Sequence, residues 1–178
     1  MNAKEKNIAR FYDARTAHFK WLNNVKLLVS GFEIDREILP PIIQDTDFGK
    51  WFYKEGLQFS HFYSKNVLGE LEEILESMFG VFSKIYVIYY NFKKSRMKTF
   101  LGIRNVPTRY EKEMAARHYE ELVALSDTFK KRLQLLESQL LAMSEEKHAM
   151  IHRDEEELVQ KVVSQDTLEG HYHGPRSH

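Results

Sequence analysis

Apolar positions near the start of the chain step alternately by three and four. Phe11, Ala14, His18, Trp21, Val25, Leu28 and Phe32 therefore share one side of a helix, with mostly Lys, Arg and Asn opposite. The spacing predicts an amphipathic helix over 4–32, weakened at its end by Ser30-Gly31. Pro40-Pro41 stops any helix at Leu39, because a proline ring fixes φ and pushes the preceding residue toward extended geometry. Asp45 or Thr46 is placed to cap a short helix from near Phe48 to about Gly56, which turns Phe48, Trp51 and Phe52 inward. A third helix is expected to start between His61 and Asn66. Its stripe is Leu71, Leu75, Met78, Phe82, Ile85, Tyr89 and Phe92, continuing weakly through Met97 and Leu101. Val81 to Phe92 is rich in β-branched and aromatic residues, as a strand would be, but the helical spacing on both sides favours helix. Gly80, within the stripe, marks either the close approach of another helix or a weak point.

Residues 102–108 read as a turn. Thr108 with Glu111 forms a capping box for a long charged helix. That helix carries a narrow seam of Leu122, Leu125, Phe129, Leu133, Leu136, Leu140 and Met143, flanked by Glu, Lys and Arg. Such a seam is closer to a coiled coil than to a core helix. The helix is expected to run to about Val163, with a polar, disordered tail from Ser164. The pattern predicts an all-α fold: an antiparallel four-helix bundle, one helix short, with a long protruding coiled-coil-like C-terminal helix. The bundle occupies 1–104, the long helix 105–163 and the tail 164–178.

Composition narrows the chemistry. The 178 residues carry zero formal net charge, which argues against broad attraction to nucleic acid or anionic membranes. The absence of cysteine removes disulfides, thiolate catalysis and Cys-ligated zinc together. The start of the chain has no signal-peptide pattern, and Met78 to Phe92, interrupted by Lys84, is too short to span a bilayer. A cytoplasmic protein without membrane insertion is expected. No Gly-x-Ser-x-Gly, phosphate-binding glycine loop or HExxH occurs. The Lys93 to Lys98 cluster, with Arg96, offers at most a small-anion contact.

His18 is the strongly polar residue on the first apolar face. Its ring nitrogens call for a hydrogen-bond partner or a metal. Three residues on lies Trp21, and further along come Phe48, Gly49, Lys50 and Trp51. This His-x-x-Trp and Phe-Gly-Lys-Trp pair, over roughly residues 5–100, resembles the chemoreceptor zinc-binding (CZB) domain family. The resemblance implies a small bacterial helical bundle, appended to chemoreceptors and diguanylate cyclases or standing alone, that reports ligand state in chemotaxis-type signal transduction. It also implies zinc, held in the family by a histidine at His18, a cysteine at Thr46 and an HxxxH pair at Leu75 and Phe79. Of these four positions His18 alone keeps a usual zinc donor, since zinc takes S, N or O ligands. Asp45 and Asp47 stand beside Thr46 as substitute oxygen donors.

A second constellation comes from spacing. His148 and His152 are i, i+4 on the long helix, a two-histidine metal spacing. A hairpin about Asn105-Val106 brings His61 level with the gap between them, with Asp154 or Glu155 nearby. The same pair also reads as solvated positions on a charged helix. His171 and His173, near the end of the chain, are discounted as loose metal binders. The function expected from the whole is a non-enzymatic sensory or protein-interaction module, associating through the Leu122–Leu140 seam. Its partner would be a second copy or a signalling protein of chemoreceptor or cyclase type. The alternatives are a metal-binding bundle using His61, His148 and His152, or a ligand-free coiled-coil adaptor.

Overall fold

A computed structural model describes residues 1–61, 65–90 and 106–151. Phe92, Met97, Leu101 and the Lys93–Lys98 cluster lie outside the described residues. So do His152, His171, His173 and the expected tail. Within the described residues the chain is all-α, and none of the helices there is long and apolar enough to cross a membrane.

Helix α1 spans Ala3–Val29. Asn2 caps it: its side-chain oxygen accepts from the Glu5 amide at 2.8 Å, and the Glu5 carboxylate accepts from the Asn2 amide at 3.0 Å. Phe11, Ala14, His18, Trp21, Val25 and Leu28 are buried as the periodicity predicts, and the stripe extends back to Asn7. Phe32 does not join them. The helix ends three residues earlier than expected, Gly31 takes a left-handed φ of 97°, and Phe32 is turned out to 62% exposure.

Two 3-10 turns follow, Arg36–Ile38 and Ile43–Asp45, then helix α2, Asp47–Lys54. A further 3-10 segment, Gly56–His61, leads toward α3, Lys65–Tyr90. Helix α4 spans Arg109–Ala142, and Thr108 and Glu111 form the expected capping box. The expected uninterrupted run to Val163 stops here. Met143 adopts an extended ψ of 142°, and a new helical run, α5, occupies 145–151.

Side-chain contacts give the direction of each helix. Tyr12 and Arg15 reach Glu137, and the ring of His18 lies on Phe129, so α1 and α4 are antiparallel. Trp51 meets Phe11 while Phe48 meets His18, so α2 runs antiparallel to α1. Trp21 packs on Phe79 and Phe82, and the Tyr89 hydroxyl reaches the Val29 carbonyl, so α1 and α3 are parallel. The result is an up-down-up-down bundle with α2 in the short corner. Large aromatic rings bridge the diagonal between α1 and α3, where smaller side chains would leave voids.

The seam on α4 is part of this core. Leu122, Phe129, Leu133, Leu136 and Leu140 are at most 1% exposed, and Leu125 packs partly buried against them. Their partner surface is mainly α3 of the same chain, the most extensive helix–helix contact among the described residues. The seam is therefore already covered and is not a free association surface. Gly80 does not mark a close helix approach either, because a Cβ there would meet open space.

Candidate functional site

The region around His18 is built from α2 outward. Thr46 caps this helix: its hydroxyl accepts from the Gly49 amide at 2.9 Å and donates to the Ile43 carbonyl at 2.7 Å. The turn Ile43–Asp45 is thereby drawn onto the first turn of α2. At Gly49 the approach is so close that a Cβ would lie 1.9 Å from the Ile43 carbonyl oxygen. Only glycine fits, which explains its place in the Phe-Gly-Lys-Trp motif. The motif residues converge as expected: Phe48 and Trp51 rings lie 5.6 Å apart, and Phe48 is 5.4 Å from the ring of His18.

His18 is 3% exposed and held among rings, with Phe129 at 4.5 Å and Trp21 stacked at 5.8 Å. Burial lowers its pKa to about 4, so it is neutral at pH 7. A neutral imidazole has one donor and one acceptor. Its Nε2 and the indole Nε1 of Trp21 are both buried with no hydrogen-bond partner among the described residues. Such orphaned polar atoms are costly, about 1–3 kcal/mol each, and call for an explanation.

Both residues line a cleft of about 600 Å³ between α1, the two 3-10 turns and α2. Phe48, Phe79, Ile38 and Pro40 supply apolar wall. Around the mouth stand Asp13, Glu37, Asp45 and Asp47, against Lys20 and Lys50. Lys50 sits 3.7 Å from Asp47 and offsets one of the four carboxylates.

Three of the four positions that the family resemblance ties to zinc border this one cleft: His18, Thr46 and Phe79. The side chains do not suit the metal. The Thr46 hydroxyl is committed to its two bonds, Phe79 stacks on Trp21 at 4.9 Å, and Leu75 is 1% exposed in the core. His18 remains a lone nitrogen donor, short of the ligand set that zinc requires. Among the described residues no group of three His, Asp or Glu is arranged to hold a metal, Asp45 and Asp47 included.

The second constellation divides. His152 and the side chain of His61 lie outside the described residues. His148 is neither solvated nor open to a metal: it is fully buried. Its Nε2 is 3.0 Å from the Leu140 carbonyl, and its Nδ1 is 3.2 Å from the Asn7 amide nitrogen. Since a carbonyl only accepts, Nε2 carries the proton. The burial follows from the break at Met143, which folds α5 back toward the start of α1. There Glu145 accepts from the amides of Ala3 and Lys4 at 2.9 and 3.4 Å. The Lys4 ammonium donates in return to the carbonyls of Leu141 and Met143, at 2.6 and 2.8 Å. Each charge meets the helix end that favours it. This joint escapes the sequence reading, although Ser144-Glu145-Glu146 is a helix-start pattern and Asn7 extends the α1 stripe by one step.

No protein family, no curated protein and no solved structure matches the chain.

Proposed function

We propose that the protein is a non-enzymatic sensory module of the kind the CZB resemblance implies, and that the cleft beside His18 is its input site. One observation carries the reading: a neutral, buried His18 and Trp21, each with a ring nitrogen that finds no hydrogen-bond partner among the described residues, border a ligand-sized cleft. Among the described residues the His18 Nε2 has no carboxylate or hydroxyl partner of the kind that makes a general base or a nucleophile pair. Contact with Phe129 gives the cleft a direct route to α4. Output is association with a second copy or with a signalling protein of receptor or cyclase type, in the cytoplasm. Since the α4 seam is covered, that association uses another face.

The metal-bundle alternative is weakened by the engagement of both His148 nitrogens, and the coiled-coil adaptor by the burial of its seam. The test is thermal unfolding of wild type and His18→Phe against fractions of small molecules from a cell extract. A fraction that raises the wild-type Tm and leaves the variant unmoved is expected. If every fraction moves both proteins alike, the cleft is not an input site.

A further inference from the structure

The joint at the start of α1 fixes the protonation state of a buried histidine. The Nε2 of His148 donates to the Leu140 carbonyl at 3.0 Å, which leaves its Nδ1 with a lone pair. The amide nitrogen of Asn7 meets that lone pair at 3.2 Å and the backbone carbonyl oxygen of His148 at 3.4 Å. One NH2 group thus serves two acceptors of the same residue. The arrangement suits a neutral ring. A proton on Nδ1 sets a donor against a donor. Turning the Asn7 amide over brings its oxygen to the ring, but sets that oxygen against the His148 carbonyl. Either way a buried polar contact is lost, and a charge is buried with it.

The ring is met from three elements: by Asn7 on α1, by the Leu140 carbonyl on α4, and by Phe59 of the Gly56–His61 segment at 6.2 Å. None of these three groups titrates. The joint also holds charges. The Lys4 ammonium on α1 binds the carbonyls of Leu141 and Met143, and the Glu145 carboxylate on α5 binds the amides of Ala3 and Lys4. Arg10 pairs with Glu55 at 3.1 Å, between α1 and the end of α2. The exposed Glu146 bonds to Ser144. Carboxylates ordinarily titrate near about 4 and lysines near about 10, so a histidine is the group that changes charge between pH 7 and 5.

The residue so held anchors an arm. Non-helical backbone at Met143 and Ser144 separates α5 from α4, and α5 packs through buried His148 and Ile151. We infer that α5 is an acid-released arm, docked on the start of α1 while His148 is neutral and let go when Nδ1 takes a proton. The switch does not depend on the input-site reading. Its sign follows from linkage. The docked arm holds no extra proton, whereas a released, solvated imidazole takes one near the ordinary value of about 6.5. Docking is whole above that pH and weakens below it, by at most about ten-fold per pH unit for one proton. Release uncovers Ile151 and the Phe59 ring that His148 covers.

Hydrogen exchange of wild type and His148→Gln between pH 7 and pH 5 tests this. Glutamine can donate to the Leu140 carbonyl and accept from Asn7, and takes no proton. The amide of residue 148, bonded to the Ser144 carbonyl, reports α5, and the amide of Ala3, bonded to Glu145, reports docking. After correction for the pH dependence of exchange itself, wild-type protection at both amides should fall together below pH 6.5, by up to about ten-fold per unit. In His148→Gln both should stay level. His18 and His61 are present in both proteins and cancel. Asn7→Asp should reverse the direction, because its carboxylate accepts from the protonated ring: protection then rises as pH falls. Flat wild-type protection, or an equal fall in His148→Gln, overturns the switch. If the glutamine variant already lacks protection at pH 7, Asn7→Asp decides, and a fall like that of the wild type overturns the switch.

Discussion

At the scale of single residues, His18 combines two costs that a core position normally avoids: an unpaired nitrogen and a depressed pKa. The sign of its pH effect follows from linkage. Folded, it stays neutral down to about 4, whereas unfolded it takes a proton near the ordinary histidine value of 6.5. Between those values the unfolded chain binds more protons. The stability tied to neutral His18 is whole above pH 6.5 and is lost as pH falls toward 4. The loss reaches up to about 3 kcal/mol. Urea midpoints at pH 7 and pH 4.5 are expected to separate for the wild type more than for His18→Phe. Carboxylate titration is common to both proteins and cancels in that comparison. Equal separations would mean that His18 is protonated in the folded state. His18 and Gly49 were both legible in the sequence, one as a polar residue on an apolar stripe, the other as a glycine inside an aromatic motif. The orphaned nitrogens were not, because hydrogen bonding depends on which side chains come near, and spacing along one helix does not show that.

At the scale of elements, α1, α2, α3 and the start of α4 follow from periodicity and capping, within a few residues at their ends. The break at Met143 does not. The step from Leu140 to Met143 is three residues, so the apolar rhythm runs across the break undisturbed. A change in helix axis leaves no mark on a pattern that records only which residues are apolar. The joint that follows is polar: Asn7 with His148, Lys4 with two carbonyls, and Glu145 with two amides. Replacing His148 by Leu keeps the volume and removes the polar partners. It should cost about 2 kcal/mol by removing the ring's bonds to the Leu140 carbonyl and to the Asn7 amide. Adding Asn7→Leu should recover part of that cost, because fewer polar groups are then left unmatched. Chemical denaturation of the two single variants and the double variant measures the coupling. Strict additivity would show that the two side chains do not depend on each other.

At the scale of the whole molecule, the bundle was predictable because every stripe needs cover and the loops place neighbours antiparallel. What covers the α4 stripe was not. A narrow apolar seam flanked by charges looks the same whether its partner is a second chain or α3 of its own. The structure gives it to α3. Leu133→Glu therefore places a carboxylate at a position that is 0% exposed. It should cost more than about 4 kcal/mol. Far-UV circular dichroism is expected to show loss of helix. A variant that keeps wild-type helicity and changes only its sedimentation would return the seam to an intermolecular role.

The joint between the ends of α1 and α4 also has a place in time. The Glu145 cap on Ala3 closes a loop of 142 residues, the longest separation among the hydrogen bonds described. Helices α3 and α4 face each other across a much shorter stretch of chain. Closing a longer loop costs more entropy, and contacts distant in sequence form slowly. The α3–α4 pair is thus the natural nucleus, on which α1 docks with its aromatic face. The cap exchange between Lys4 and Glu145 comes last. The expected order of assembly runs outward from the α3–α4 pair, and Ala3 meets Glu145 only when everything between them is in place.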